Sequence, residues 1–462
     1  MIDISEMPQV EVLKYPHPYQ GAFTISSDID SANVARFRAI HALFCQRDSI
    51  SEGSSEWQRL GLTEKSPGFD RNRRSIPGFG FQFGDSFFLV GDKTTIGMYR
   101  HVPEEDAFDE DQQDGENCAA LIRRWIKEGQ IDSFHAFLHY TRRQIEPLLT
   151  GFYQWCEQES VPKPRVWINH STAVTPSGIC PNRLQPFRAY SLARLAARKV
   201  VGPLLGRRRI PLRNALVRYD GDTPGSQHYV NDLLAANGLR YVWLNRNDIH
   251  INSIALPETL QGGRSTILLP ITMDDGVRYW RFERCAGRPE SMFDGCYFRN
   301  SDEGYDSSCL ITENNLNELC RRCGTCVLTT HWTHYRSLPL SDETIARFHM
   351  LKRWQDEGKI WVTSAERLLE WTRRRTFLEI ACHRERGQSI VDILGVNDPI
   401  FGREPVKLKD LHRLALRVKS QDDAVKIALR GRVLNPEEVQ RSGSVFWLQA
   451  EGAARSMLNV SW

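Results

Sequence analysis

The sequence predicts an α/β protein with a closed or nearly closed β/α barrel over residues 1–372 and a small β-rich accessory domain over residues 373–462. The chain has 462 residues, enough for one large domain and a smaller one. Short apolar runs alternate with amphipathic segments up to about Arg375, which indicates parallel strands joined by helical crossovers. A closed barrel is the simplest arrangement of such units, and an open doubly wound sheet is the alternative.

The elements follow from the same alternation, taken in chain order. The first predicted strand is GAFTISSD, which begins at Gly21. Ser31 is placed to cap the next helix, in which apolar residues recur at helical spacing, namely Val34, Phe37, Ile40 and Leu43. Helix, glycine and strand then repeat in this order. The helices are ENCAALIRRWIKEGQ, RRQIEPLLTGFYQWCEQ, QHYVNDLLAANG and TIARFHMLKRWQDEG, and the strands are IDSFH, RVWIN, RYVWL, CVLTT and KIWVTS.

After WTRRRTFLEI the pattern changes to short apolar runs separated by Gly, Pro, Asn and Asp. The runs are IVDILGVND, LALRVKS, AVKIALRG and SVFWLQAEG. This pattern is typical of a small antiparallel β domain. It carries no catalytic constellation, so we interpret it as a packing domain, with glycan binding as the alternative.

Composition excludes several classes of protein. The net charge of +3 gives no reason to expect nucleic acid as a partner. No apolar run reaches the roughly 18 residues of a membrane span, and the first residues lack the pattern of a signal peptide, so we expect a cytoplasmic protein. The 11 cysteines are scattered and do not suggest a disulfide framework. Cys320, Cys323 and Cys326 have the spacing of a metal or redox motif, but without a fourth ligand nearby we favour ordinary thiols.

Two charged segments interrupt the alternation. Residues 104–116 carry eight acids and no base, and residues 183–213 carry nine bases and no acid. We interpret both as solvated insertions on the barrel rim. The basic segment has a second interpretation, in which it attracts an anionic substrate.

Polar residues that follow the predicted strands form the candidate site, because the active site of a β/α barrel lies where the strands end. Four strands deliver Asp or His to this rim. They supply Asp28 and Asp30, His135 and His139, His170 and Ser171, and His331 and His334. A single histidine in such a position is more often structural, but four strands together favour a functional site.

The HAFLH segment suggests a metal site. Residues four apart in a helical turn share one face, so His135 and His139 could bind one ion together with a carboxylate. Asp28 and Asp30 are two apart and point to the same side of an extended strand, so one can bind the metal and the other can take a proton. In the alternative interpretation Asp30 is only a helix cap and HAFLHY packs into the wall.

The order of TISSDID, HAFLH, and LTTHWTH before IWVTS resembles the polysaccharide deacetylases of carbohydrate esterase family 4, the NodB homology group, over roughly Tyr19 to Trp371. The resemblance implies a distorted (β/α) barrel of seven or eight strands that uses a divalent metal, most often zinc, to remove N-acetyl or O-acetyl groups from sugars. It implies Asp28 as the catalytic base and His331 as the acid. It implies Asp30, His135 and His139 as metal ligands, although Ile29 separates the aspartates and their roles can be exchanged.

The sequence therefore predicts a metal-dependent deacetylase that acts on a glycan or sugar precursor. His170, His334 and Trp332 are the candidates for substrate binding, and Trp243 and Tyr335 are further aromatic residues that could stack on a sugar. The alternatives are a catalytically silent barrel that binds a glycan or a protein, and another metal-dependent amide hydrolase on the same scaffold. A glycosidase is the weakest alternative, and the oligomeric state stays open.

Overall fold

The computed structural model describes residues 8–29, 32–66, 68–91, 95–105, 107–113, 115–137, 139–169, 177–179, 220–244, 267–282, 284, 311–330, 332, 340–420 and 424–450. The helices in these ranges are α1 (Val34–Cys45), α2 (Ser55–Arg59), α3 (Cys118–Lys127), α4 (Arg142–Gln158), α5 (Asn231–Ala236), α6 (Glu313–Arg321), α7 (Asp342–Asp356) and α8 (Ala365–Thr376).

The strands fall into two groups along the chain. The first group is β1 (Gln9–Val12), β2 (Gly21–Ser27), β3 (Ile50–Ser51), β4 (Ser75–Ile76), β5 (Gly84–Gly91), β6 (Gly97–Val102), β7 (Ala107–Glu110), β8 (Gln112–Gln113), β9 (Glu116–Asn117), β10 (Ile131–His135), β11 (Val166–Asn169), β12 (Tyr241–Leu244), β13 (Leu269–Thr272), β14 (Arg278–Phe282), β15 (Thr325–Thr330) and β16 (Ile360–Val362). The second group is β17 (Leu378–Glu385), β18 (Gln388–Asp398), β19 (Gly402–Glu404), β20 (Ala415–Lys419), β21 (Val425–Leu429), β22 (Arg432–Val433), β23 (Val439–Ser442) and β24 (Val445–Leu448).

A mixed sheet of 11 strands forms the centre of the molecule. Eight of the strands follow the order β13-β14-β12-β11-β10-β5-β2-β15, and the other three are β16 beside β2, β6 beside β5, and β7 beside β6. Its pairs from β14 to β15 are parallel, as the alternation of helices and strands predicts. The predicted closed barrel is wrong, because no ladder between described residues joins β15 back to β13, which itself pairs antiparallel with β14. One edge of β2 is also divided, since it pairs first with β16 and then with β5.

The helices begin and end where local chemistry predicts. The apolar positions of α1 are buried as expected, but Asn33 caps the helix by accepting from the backbone N–H of Arg36, whereas the expected cap, Ser31, lies outside the described residues. Gly129 after α3 and Gly358 after α7 both adopt positive φ, which glycine tolerates best. Each therefore turns the chain from a helix into the strand that follows, β10 or β16.

Three apolar clusters cover the central sheet. One lies between the sheet and α3, α4 and α5, and a second lies between it and α1, α6 and α7. The third includes Ala22 and Ile168 of the central sheet, Leu368 of α8, and residues of the C-terminal strands such as Val391 and Leu416. A single cluster thus spans both predicted domains.

The C-terminal strands form two further sheets, and the N-terminal strand joins one of them. The orders are β1-β20-β24-β23 and β17-β18-β21-β22, with β19 beside β18. Pairing is antiparallel, as predicted, except for the parallel pair of β18 and β21. The buried guanidinium of Arg373 in α8 connects the regions through Glu370, Asp398 and Glu404.

The two charged segments have different outcomes. The acidic segment is not simply a solvated insertion, because it contains β7, β8 and part of β9. Asp111 within it is fully buried and accepts from the backbone N–H of Gly97. The basic segment lies outside the described residues. No described helix is long and apolar enough to cross a membrane.

Candidate functional site

The candidate site lies at the edge of the central sheet where its parallel strands end. Asp28 follows β2, and its backbone N–H donates to the carbonyl oxygen of Thr330 at 2.9 Å, which holds it beside the end of β15. Arg284 stands two residues beyond β14. In open parallel sheets this carboxyl edge is the usual place for ligand binding.

Asp28 and Arg284 form a buried bidentate ion pair. Arg284 Nη1 donates to Asp28 Oδ1 at 2.7 Å, and Nη2 donates to Oδ2 at 2.9 Å. Nη1 also donates to the Ser26 hydroxyl at 3.3 Å. Both charged side chains are almost fully buried, and the fork geometry fixes the plane of the carboxylate.

This contact shows how strongly the open sheet curves. Four strands separate β2 from β14 in the sheet order, namely β12, β11, β10 and β5. In a flat sheet, five spacings of about 4.8 Å would place the two strand ends about 24 Å apart. The 2.7 Å contact therefore requires the sheet to curl until its nonadjacent strands meet through their side chains.

The indole ring of Trp243 in β12 packs against the guanidinium of Arg284. The central carbon of the Arg284 guanidinium lies 3.6 Å from the centroid of the indole ring. A cation over an aromatic face is attracted to it, and the attraction increases when both groups are removed from water. Trp243 therefore binds Arg284 rather than presenting this part of its face to a sugar.

Several buried polar atoms near this edge have no hydrogen-bond partner among the described residues. They are Ser27 Oγ at the end of β2, Ser86 Oγ in β5 and Asn169 Nδ2 at the end of β11. A buried polar group without a partner costs free energy, so such groups are rare unless water or a ligand satisfies them. Ser26 pairs with Gly84, so Ser86 lies on the face of Ser26, which contacts Arg284, whereas Ser27 lies on the opposite face of the sheet. The registers through β10 and the contact of Asn169 with Trp167 place Asn169 on that opposite face as well. Ser86 Oγ is therefore the atom of the three that could meet a polar ligand beside the ion pair.

His135 is the last residue of β10 and is fully buried. Its ring centroid lies 4.1 Å from that of Phe88 in β5, so part of its surroundings is apolar.

His139 is exposed and lies in a different environment. Its ring stacks on Tyr140 with 4.5 Å between the centroids. Burial of part of the ring, together with the neighbouring His101 and His228, lowers the pKa of His139. His228 also donates from Nδ1 to the Tyr140 carbonyl oxygen at 3.1 Å. His101, His139 and His228 thus surround Tyr140.

The helical-turn geometry expected for His135 and His139 is wrong. His135 ends a strand, the residues after it form a turn, and α4 begins only at Arg142. Among the residues that the structure describes, no three His, Cys, Asp or Glu side chains are placed to hold one metal ion. The predicted ligand Asp30 lies outside the described residues, and we assign no step to a metal.

Trp332 has a structural environment. Its ring packs edge-on against Phe44 at 4.4 Å and lies 5.1 Å from the ring of Phe348, within the apolar cluster around α1 and α7. Its indole N–H has no partner among the described residues and is the part left to reach a ligand. The other predicted site residues lie outside the described ranges, namely Asp30, His170, Ser171, His331, His334 and Tyr335.

Sequence reasoning missed Arg284. The residue follows the apolar run RYWRF by two positions, which is the same signal that identified Asp28 after β2. No strand was predicted at RYWRF, so the polar residue that follows it was not among the candidates. Comparison with protein-family models and with curated proteins finds no match to this chain.

Proposed function

We propose that this protein is a hydrolase that removes an acetyl group from a glycan or sugar precursor at the carboxyl edge of its central sheet. The observation that carries the proposal is the buried, bidentate Asp28–Arg284 pair at that edge. Ser86 Oγ, which has no partner among the described residues and lies on the face of Ser26, supports it, because a sugar offers hydroxyl groups to such an atom. The order of the sequence motifs supports the same class.

Asp28 acts as the general base in this proposal. The two bonds from Arg284 fix the plane of its carboxylate, and the carboxylate takes a proton from water. Arg284 orients the carboxylate toward that water. That water attacks the carbonyl carbon of the amide or ester, and the C–N or C–O bond breaks. His331 donates a proton to the leaving group, as the resemblance implies.

A divalent metal, with zinc as the first candidate, belongs to the proposal through the resemblance. Asp30, His135 and His139 are its expected ligands. Elemental analysis of the purified protein tests it directly. His139→Ala should lower the metal content, whereas His349→Ala, on α7, should not.

Acetate release from a panel of N-acetylated and O-acetylated sugars tests the reaction. Asp28→Asn should reduce turnover about a hundredfold or more, which is the usual effect of losing a general base. Asp398→Asn is a matched control, because Asp398 is also buried and accepts from an arginine, Arg373 Nη1 at 3.1 Å, but lies in β18. Normal turnover in the Asp28 variant would contradict the proposal.

One observation favours a second function. Arg284 neutralises Asp28, so the edge could bind a polar glycan without cleaving it. Calorimetric binding of an acetylated sugar with no acetate release would favour this silent form, and a partner protein could replace the glycan.

We place either function in the cytoplasm and expect a soluble sugar precursor, in accord with the seven described cysteines, all of which are unbridged.

A further inference from the structure

A second polar cluster lies on α1 and β5, where Asp85 is the ladder partner of Ser27 and lies on the opposite face of the sheet from Ser26 and its contact with Arg284. Cys45 is the last residue of α1, and His41 precedes it by one turn on the same face. His41 Nδ1 lies 3.2 Å from Cys45 Sγ, and His41 Nε2 lies 2.7 Å from Asp85 Oδ2. A thiol, an imidazole and a carboxylate are thus connected in series.

Asp85 determines the protonation of His41. Its carboxylate is buried, and its other oxygen, Oδ1, has no hydrogen-bond partner among the described residues. A buried carboxylate has to be paired with a cation or give up its charge. His41 is its ion-pair partner, so the ring is an imidazolium and both ring nitrogens donate, one to Asp85 and the other to Cys45.

The surroundings of His41 stabilise this cation. Burial opposes the charged ring, but the contacts with Cys45 and Asp85 outweigh it and raise the pKa of His41 to about 10. The ring of Phe37, one turn earlier, stacks on the imidazole with 4.1 Å between the centroids. A cation over an aromatic face is favourable in a buried site.

The sulfur of Cys45 depends on His41 for its activation. Cys45 stands at the carboxyl end of α1, where the backbone dipole disfavours negative charge, and its sulfur lies 3.9 Å from the carbonyl oxygen of Phe83. His41 Nδ1 lies within hydrogen-bond distance of this sulfur, and a neighbouring imidazole is the group that most often activates a cysteine for attack. Cys45 is partly exposed, so a small molecule can reach it.

A cleft next to this cluster gives access to the same face of α1. It is lined by His41, Ala42 and Gln46, among other residues. The cleft therefore borders the helix on either side of Cys45 in the chain. Bulky reactants are excluded by the buried positions of His41 and Asp85, so the site suits a small, uncharged reactant.

We propose that Cys45, His41 and Asp85 form an activated-thiol site at which hydrogen peroxide oxidises Cys45. The sulfur attacks one peroxide oxygen, an S–O bond forms and the O–O bond breaks. Sulfur loses two electrons and becomes a sulfenic acid, while the peroxide is reduced. The leaving hydroxide takes the proton from His41 Nδ1 and departs as water.

The test treats the full-length protein with hydrogen peroxide at neutral pH, traps sulfenic acid with dimedone, and follows each cysteine peptide by mass spectrometry. Cys320 is the internal reference, because it is also partly exposed and burial raises the pKa of its thiol to about 11. We expect Cys45 to form the adduct at least about tenfold faster than Cys320, because an activated thiol reacts as its thiolate.

His41→Gln should slow the reaction of Cys45 about tenfold or more, since it removes the cation and the proton donor. His349→Gln is the control, because His349 lies on α7 against Phe79 and is not in contact with this cluster. Equal rates for Cys45 and Cys320 in the unmodified protein would overturn the proposal, even where a variant fails to fold. A folded His41→Gln variant that keeps the rapid reaction would overturn it as well.

Discussion

Asp28 is a carboxylate removed from water, and Arg284 compensates its charge. Breaking a buried pair by deleting one partner costs about 3–5 kcal/mol, because the other charge stays buried and alone. Arg284→Met should therefore lower the free energy of unfolding by about this amount, measured by urea denaturation. The double variant Asp28→Asn/Arg284→Met should recover part of the loss, since no charge remains uncompensated.

An exposed ion pair provides the control for this prediction. Arg432 makes a comparable two-bond contact with Glu438, but 55% of the arginine side chain is exposed. Arg432→Met should cost less than about 1 kcal/mol, because water screens the pair. Similar losses at Arg284 and Arg432 would mean that the pair at the sheet edge is not desolvated.

Glu366 in α8 gives a pH-dependent prediction. Burial, with Asp132 and Glu370 nearby, raises its pKa from 4.5 to about 8, against the opposing effect of Arg165. Because the folded pKa exceeds the unfolded one, this contribution to stability is complete below about pH 4.5 and is lost as the pH rises through 8. Unfolding free energy should fall over this window by at most about 1.4 kcal/mol per pH unit.

Glu366→Gln should remove much of that slope, because an amide does not titrate. Urea denaturation at a series of pH values measures it, with the exposed Glu437→Gln as the control. An unchanged slope in the Glu366 variant would assign the pH dependence to another group.

At this scale the sequence predicted some of the candidate site and missed its pairing. Asp28 could be found because it directly follows an apolar run, and His135 because it ends another. The partner of Asp28 could not be found, because Arg284 is distant in sequence and meets it only through the curvature of the sheet.

Gly84 at the start of β5 shows how closely the elements pack beneath the site. A Cβ at this position would lie 2.3 Å from Cγ of Asp132 in β10. Asp132 Oδ2 in turn accepts from the backbone N–H of Glu366 at the start of α8, at 3.1 Å. An added methyl group therefore has to displace a side chain that connects β10 with α8.

Gly84→Ala should destabilise the protein by about 1–3 kcal/mol, as overpacking of a core usually does. Gly151→Ala is the opposite control, because Gly151 lies in α4 with no atom within 4 Å of an added Cβ. That substitution should stabilise by about 0.5–1 kcal/mol, since alanine is the better helix former. Thermal unfolding of both variants provides the comparison, and a neutral Gly84→Ala would show that Asp132 can move without cost.

Local patterns predicted several elements but missed others, including the central strands β5 and β14, and they did not predict the connection between β10 and α4. The bounds of β10 and α4 agree with the predicted IDSFH and RRQIEPLLTGFYQWCEQ. The helical turn expected across HAFLH was wrong, because the chain leaves β10 as a turn and the helix starts only after Thr141. The backbone N–H of Thr141 donates to Gln144 Oε1 at 3.0 Å, and this Thr-x-x-Gln capping signal was present in the sequence.

The choice of which strands pair in the central sheet is a property of the whole molecule, and the sequence pattern did not contain it. Periodicity indicates that a strand exists and which face is apolar, but not which edges pair. Here β2 pairs with both β15 and β16, which are distant from it in sequence. β1 pairs with β20 of the C-terminal strands instead of joining the central sheet. The barrel prediction failed on these long-range choices.

The shared apolar cluster predicts that residues 1–376 alone do not fold cooperatively. Removing β17–β24 takes away the pairing partner of β1 and exposes Ala22, Trp361 and Leu368. Each large buried side chain contributes about 1.5–3 kcal/mol, so losing several removes an amount comparable with a typical total stability of about 5–15 kcal/mol. Circular dichroism during heating should show no sharp transition for this fragment, whereas the full chain should show one. The opposite result is a fragment that melts as sharply as the full chain and at the same temperature. That result would mean that residues 1–376 bury their own core and that the C-terminal strands only pack against its surface.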